Sequence, residues 1–172
     1  MHNEQNTTTI KTTLLALRPG RREIGVAVLE GKDLLFWGVA GFREYRGEDL
    51  LKAVEGRLLV LIQTYRPQVL VMEKPAPARL AASPALGAIL GRIRAVAARE
   101  RLQMRLYRPE EVRAGVCENG LATHNQVVDR IVARYPHLER CRLSKERRRE
   151  DYWRPMFTAV AVGLVSNGEA GR

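Results

Sequence analysis

Residues 14–30, LLALRPGRREIGVAVLE, constrain the fold more than any other stretch of the chain. Two apolar runs, Leu14 to Leu17 and Ile24 to Leu29, flank a segment containing Pro19-Gly20, so the spacing predicts a β-hairpin with Arg18 where the first strand ends. A third β-rich run, Leu34 to Gly41, follows the turn-forming segment EGKD and completes an antiparallel meander. Sites in α/β sheets are built at strand ends, which makes the Arg18 side chain a candidate contact.

Beyond the meander the periodicity changes. From Asp49 to Tyr65, apolar residues at Leu50, Leu51, Val54, Leu58, Leu59, Leu61 and Ile62 have helical spacing, and Arg66-Pro67 ends the helix because proline cannot continue it. Gln68 to Glu73 is a buried strand with a carboxylate at its C-terminal end, stopped by Lys74-Pro75-Ala76-Pro77. Ser83-Pro84 caps a helix over Ala85 to Glu100, in which Gly87 and Gly91, four apart, allow close backbone packing. Leu102 to Tyr107 is a fifth strand, and Pro109 opens a short helix. After an Asn119-Gly120 turn, Thr123 to Tyr135 is amphipathic, and a last helix starting at Pro155 packs through Phe157, Val160, Ala161, Leu164 and Val165. The expected organisation is one domain over residues 14–165 between polar tails, 1–13 and 166–172.

The chain carries 29 Lys and Arg against 19 Asp and Glu, a net charge of +10 that favours a polyanionic partner such as nucleic acid. Pro136 to Arg154 is the one composition shift, a segment rich in Arg and Lys with little apolar content that reads as a loop or an exposed helix end. Cys117 and Cys141 have neither CxxC spacing nor a partner set, which points to buried or incidental thiols rather than a zinc site or disulfide framework. The longest apolar stretches, Leu58 to Ile62 and Phe157 to Val165, are too short to span a bilayer, and the polar N-terminus lacks a signal-peptide core. A cytoplasmic location is expected.

Three strands, helix, strand, helix, strand, helices is the element order of a ribonuclease H-like fold, and four motifs point to one branch of it. These are Arg18-Pro19-Gly20 with Gly25, Glu73 at the end of the fourth strand, Leu90-Gly91-Arg92-Ile93-Arg94, and the pair of segments 107–113 (YRPEEVR) and 119–127 (NGLATHNQV). In this order and spacing they resemble the RuvC-type Holliday-junction resolvases. The resemblance implies a five-stranded mixed sheet with helices on both faces, a homodimer, and branched DNA as partner.

It also implies a two-metal nuclease site of four carboxylates, because two divalent cations orient the attacking water and stabilise the attacking and leaving oxygens. One acid lies on the first strand, one ends the fourth, and two lie three residues apart near the start of the last helix. Only Glu73 matches. The strand-one position is Arg18, and alignment of the last helix puts Trp153 and Met156 at the other two. A guanidinium about 4 Å from a divalent cation is repelled by about 8 kcal/mol at an effective dielectric of 20.

Two roles are open to Arg18, an ion pair with Glu73 or a clamp on a DNA phosphate. The expectation is a binder of branched DNA with a degenerate site and no cofactor. Its candidate nucleic-acid contacts are Arg18, Arg92, Arg113, His124 and the run Arg147, Arg148 and Arg149, with at most one of Arg92 and Arg94 facing the cleft. Tyr152 and Trp153 are candidates for stacking on an unpaired base. The alternative is an active nuclease holding Mg or Mn on Glu73 with Glu150 or Asp151; a further alternative is a protein-interaction scaffold.

Overall fold

The computed structural model describes residues 11–142 and 147–168; of residues 147–151 it describes the backbone alone. Strands β1 (Thr13–Pro19), β2 (Glu23–Glu30) and β3 (Asp33–Gly41) form the expected antiparallel meander, and β4 (Val69–Glu73) and β5 (Gln103–Tyr107) extend it in parallel. The sheet order is β3-β2-β1-β4-β5, which puts β1 at its centre. The hairpin turn is shorter than expected. Arg18 and Pro19 belong to β1, opposite Gly25 and Ile24, and Gly20 N–H donates to the Glu23 carbonyl at 2.8 Å. Pro19 is tolerated in this central strand because β4 pairs only with Leu14 to Leu17, so its missing donor breaks no ladder bond on that side.

Both faces of the sheet are covered, as the unbroken apolar runs of β1, β2 and β4 require. Helices α1 (Gly47–Tyr65) and α3 (Pro84–Arg99) pack with Leu15, Leu17, Leu70 and Met72 on one face. A short helix α2 (Pro77–Ala82) lies where the sequence shows only a strand stop. Helices α4 (Pro109–Cys117), α5 (His124–Arg134), α6 (Glu139–Arg142) and α7 (Arg147–Ser166) lie on the other side, and the apolar residues of α4, α5 and α7 pack with Leu14, Ala16, Val69 and Val71. Ser83 accepts from Leu86 N–H as the cap of α3, while Thr123 and Gln126 form a capping box on α5.

Two glycine expectations separate here. Gly87 and Gly91 face open space, so no close packing occurs at either. The close approach lies elsewhere: a Cβ on Gly25 would sit 2.0 Å from the Pro155 carbonyl oxygen, and one on Gly163 would sit 2.5 Å from Leu29 Cδ1. The backbone of α7 therefore presses directly on β1 and β2. Contrary to expectation, α7 begins at Arg147 and carries Pro155 inside it. An interior proline costs the helix one hydrogen bond; here it marks the point where helix and sheet meet. Cys117 is half-buried and Cys141 buried, both as free thiols. Among the described residues, no helix is long and apolar enough to cross a membrane.

Candidate nucleic-acid interface

Side chains alternate faces along a strand. Leu14 and Ala16 point toward α7, so Arg18 does too; Val69 and Val71 point the same way, and so does Glu73. The parallel register runs from Leu14 opposite Val69 to Leu17 opposite Met72, and one more step brings Arg18 beside Glu73. Two opposite charges thus leave the C-terminal ends of adjacent strands on one face, at the mouth of the α4–α5–α7 layer.

They line a cavity of about 160 Å³ together with Arg113 and Val112 of α4, Ala122, His124 and Val127 at the start of α5, and Arg154, Thr158 and Ala161 of α7. The seat of α7 on Gly25 is what brings Arg154 there, because Gly25 pairs with Arg18 across the β1–β2 ladder. Arg113 is anchored: its Nε donates to the Gly120 carbonyl at 2.9 Å, and its Nη2 lies 3.7 Å from Glu110. Among the described residues, the guanidinium groups of Arg18 and Arg154 and the carboxylate of Glu73 make no hydrogen bond or ion pair. The expected Arg18–Glu73 contact is therefore a field interaction across a shared cavity, not a closed salt bridge.

The titration behaviour agrees. Burial lowers the affinity of Arg18 for its proton, with Arg79 adding to the effect, Glu73 and Glu23 opposing it, and Arg154 adding again. Burial likewise pushes the Glu73 carboxyl above its ordinary range, against the pull of Arg18, Arg113 and Arg79. In a satisfied buried pair, each partner favours the charged form of the other; here both shift the opposite way, so the cavity leaves its charges under-compensated. His124 is pushed down to about 4 by burial and then by Arg154 and Arg18, and it is a neutral imidazole at pH 7.

The remaining expected residues fall into three groups. Trp153 and Met156 do not face the site: Met156 is wholly buried in the core beneath α7, while Trp153 packs on that core with Tyr152 edge-on to it at 5.0 Å. Spacing of four and then three turns Arg154, Thr158 and Ala161 to the cavity instead, so the register of the last helix is offset from the expected one. Arg92 lies between α1 and α3 on the opposite face of the sheet, ion-paired to Glu48 at 2.7 Å and Glu55 at 2.8 Å, and Arg94 is exposed away from the cavity. The side chains of Arg147, Arg148, Arg149, Glu150 and Asp151 lie outside the described residues.

Arg154, Thr158 and Arg79 were missed in the sequence. The spacing of Arg154 and Thr158 puts them on one helix face, but the signal is hidden once Pro155 is taken as the helix start. Arg79 sits in the one-and-a-half-turn α2, too short to show a period. Among the described residues, no group of three or more His, Cys, Asp or Glu could hold a metal ion. Among the described residues, the cavity offers one carboxylate among three guanidinium groups, a donor set that does not fit the two hard divalent cations implied by the resemblance.

No family model and no curated protein matches the sequence. Solved structures do match. Against the Thermus thermophilus RuvC structure the chain is 20% identical with a TM-score of 0.73, covering 92% of this chain and 95% of that one. Against T. thermophilus RuvC in complex with a Holliday-junction substrate, the values are 18%, 0.71, 90% and 92%. Against the yeast mitochondrial Holliday-junction resolvase Ydc2 they are 14%, 0.60, 92% and 78%. The chain has the ribonuclease H-like fold of these resolvases over nearly its whole length.

Proposed function

We propose that this protein binds branched DNA of the Holliday-junction kind without hydrolysing it, as a cytoplasmic homodimer acting in DNA recombination or repair. The observation that carries the reading is Arg18 beside Glu73 in a cavity shared with Arg113 and Arg154. The strand ends that gather carboxylates in a two-metal nuclease gather guanidinium groups here, and these suit backbone phosphate rather than a metal ion. The fold shared with resolvases, one of them solved on a Holliday junction, supports the class of partner. The net charge of +10 supports a polyanion independently.

The test is a labelled four-way junction, titrated with the full chain at physiological salt beside a linear duplex of equal length, then incubated with magnesium or manganese. The expected result is junction-preferring binding that weakens steeply with salt, with no product strands. Equal affinity for the linear duplex would remove the structure-selective part, and no binding to either DNA would favour the scaffold reading. Metal-dependent cutting abolished by Glu73→Ala would establish instead the nuclease using Glu73 with Glu150 or Asp151.

A further inference from the structure

We propose that the Arg18–Glu73 cavity is a phosphate socket, which takes one phosphate group on the guanidinium groups of Arg18 and Arg154, with Arg113 as a third, fixed cation. This deepens the nucleic-acid reading of the same site by naming the chemical group the cavity holds and the residues that hold it.

The argument starts from charge. Among the described residues, three arginines and one glutamate line the cavity, a formal excess of two positive charges around a partly open space of about 160 Å³. Arg79 adds to the positive field at Arg18 and Glu73. Buried like charges are tolerated where an anion completes the set, and under-compensated groups mark such a place. Two of the three guanidinium groups have every donor free of protein partners among the described residues, and each presents a planar fork matched to phosphate oxygens.

The other linings set what fits. Val112, Ala122, Val127 and Ala161 form apolar walls, and the volume suits a phosphate group better than a nucleobase with its sugar. The Thr158 hydroxyl is already committed, donating to the Arg154 carbonyl at 3.1 Å, so the arginines are the principal donors. His124, uncharged in the empty cavity, contributes a ring N–H rather than a competing cation. Glu73 balances one guanidinium when no anion is present; a backbone diester, with one negative charge, offsets one of the remaining two, and a phosphate dianion offsets both.

The same chemistry is offered by a backbone diester and by free phosphate, and two arms separate them. In the first, the full chain is titrated at pH 7 with inorganic phosphate, followed by calorimetry and by the His124 ring resonances. Saturable binding at one site is expected, and occupation should raise the His124 pKa from about 4, because an anion joins the groups facing it: Arg18, Glu73, Arg113 and Arg154 across the cavity, and the Asp129–Arg142 pair behind. Arg18→Gln and Arg154→Gln should each weaken phosphate at least tenfold, while Arg92→Gln leaves it unchanged. Arg154 is exposed, so its variant keeps the test sound if Arg18→Gln disturbs folding. A phosphate response that is absent, or equal in wild type and Arg154→Gln, overturns the socket.

In the second arm phosphate competes with the four-way junction. Displacement of the junction, together with at least tenfold weaker junction binding by Arg154→Gln, identifies the occupant as backbone phosphate. Junction binding indifferent to both phosphate and Arg154→Gln overturns the socket while the nucleic-acid reading survives. Phosphate binding by a chain that binds no junction keeps the socket and overturns that reading.

Discussion

Two clusters of arginine and glutamate sit on opposite faces of one sheet, and they are built differently. Between α1 and α3, Arg92 reaches Glu48 and Glu55 at 2.7 and 2.8 Å, and Glu55 also takes Arg99 at 2.6 Å. Every charge there has a partner. Arg92 and Arg99 hold their protons more tightly than usual and Glu55 loses its more readily, in each case first because of side-chain hydrogen bonds. At the ends of β1 and β4, Arg18, Arg154 and Glu73 share a cavity without touching, and burial shifts Arg18 and Glu73 the other way. The same residue types thus make a closed fastening in one place and, on the reading proposed above, a receptor in the other. What distinguishes them is compensation: paired charges hold two helices together, whereas the charges around the cavity have no partner among the described residues, which is what the proposed phosphate socket rests on.

The comparison breaks most completely if α7 is lifted from the sheet, since its seat on Gly25 brings Arg154 to the cavity. A methyl group at Gly25 would lie 2.0 Å from the Pro155 oxygen and 2.1 Å from its carbon, both backbone atoms that cannot turn aside. Gly25→Ala should therefore cost about 3 kcal/mol or more, at the upper end of overpacking effects. Urea denaturation measures the loss. A change of less than about 1 kcal/mol, the ordinary scale for a tolerated core change, would mean that α7 does not rest there. Phosphate binding should fall with stability in this variant, because Arg154 reaches the socket from α7 and Arg18 from β1.

Much of this could be read from the chain before its fold was known. Apolar runs bounded by turn residues place all five strands, and alternation along LLALRP already puts Arg18 on the face of Leu14 and Ala16. The position of Glu73 at the end of a short buried strand was legible for the same reason. What the chain conceals is register between distant elements. Nothing local says that Pro155 lies inside a helix, because its cost is met by a contact with a glycine 130 residues away. An error there rotates the helix and exchanges Arg154 and Thr158 for Trp153 and Met156. Arg92 misleads for a related reason: its charge is visible in the sequence, but the glutamates of α1 that engage it lie more than thirty residues away.

A smaller effect sharpens the contrast through pH. The folded-state pKa of His124 is lowered to about 4 from an ordinary value near 6.5. Between those values the unfolded chain binds more protons at this residue than the folded one, so stability is present in full above pH 6.5 and is lost as pH falls toward 4. The full shift corresponds to about 3 kcal/mol, and solvent screening of a partly exposed ring reduces it to about 1–2 kcal/mol. His124→Asn should remove that much of the loss between pH 7 and pH 4.5 in urea titrations. Arg154→Gln should shrink it in part, because Arg154 stands second only to burial among the causes. An unaltered pH profile in both variants would contradict a cationic cavity.

The smallest effect belongs to the paired cluster, and its smallness is the point. Arg92 and Glu55 retain 24% and 21% of their side-chain exposure, so water screens the pair and long side chains must be ordered to form it. Arg92→Ala and Glu55→Ala should each lower the melting temperature by only about 1–3 °C, and the double variant should lose less than the sum, because the two share one interaction. Salt should erase the difference, since screening at about 1 M reaches within 3 Å. None of the three variants should alter phosphate or junction affinity by as much as twofold. A larger loss of binding from Arg92→Ala would mean that the α1–α3 face also meets the ligand, and the two clusters would then be parts of one surface rather than a fastening and a receptor.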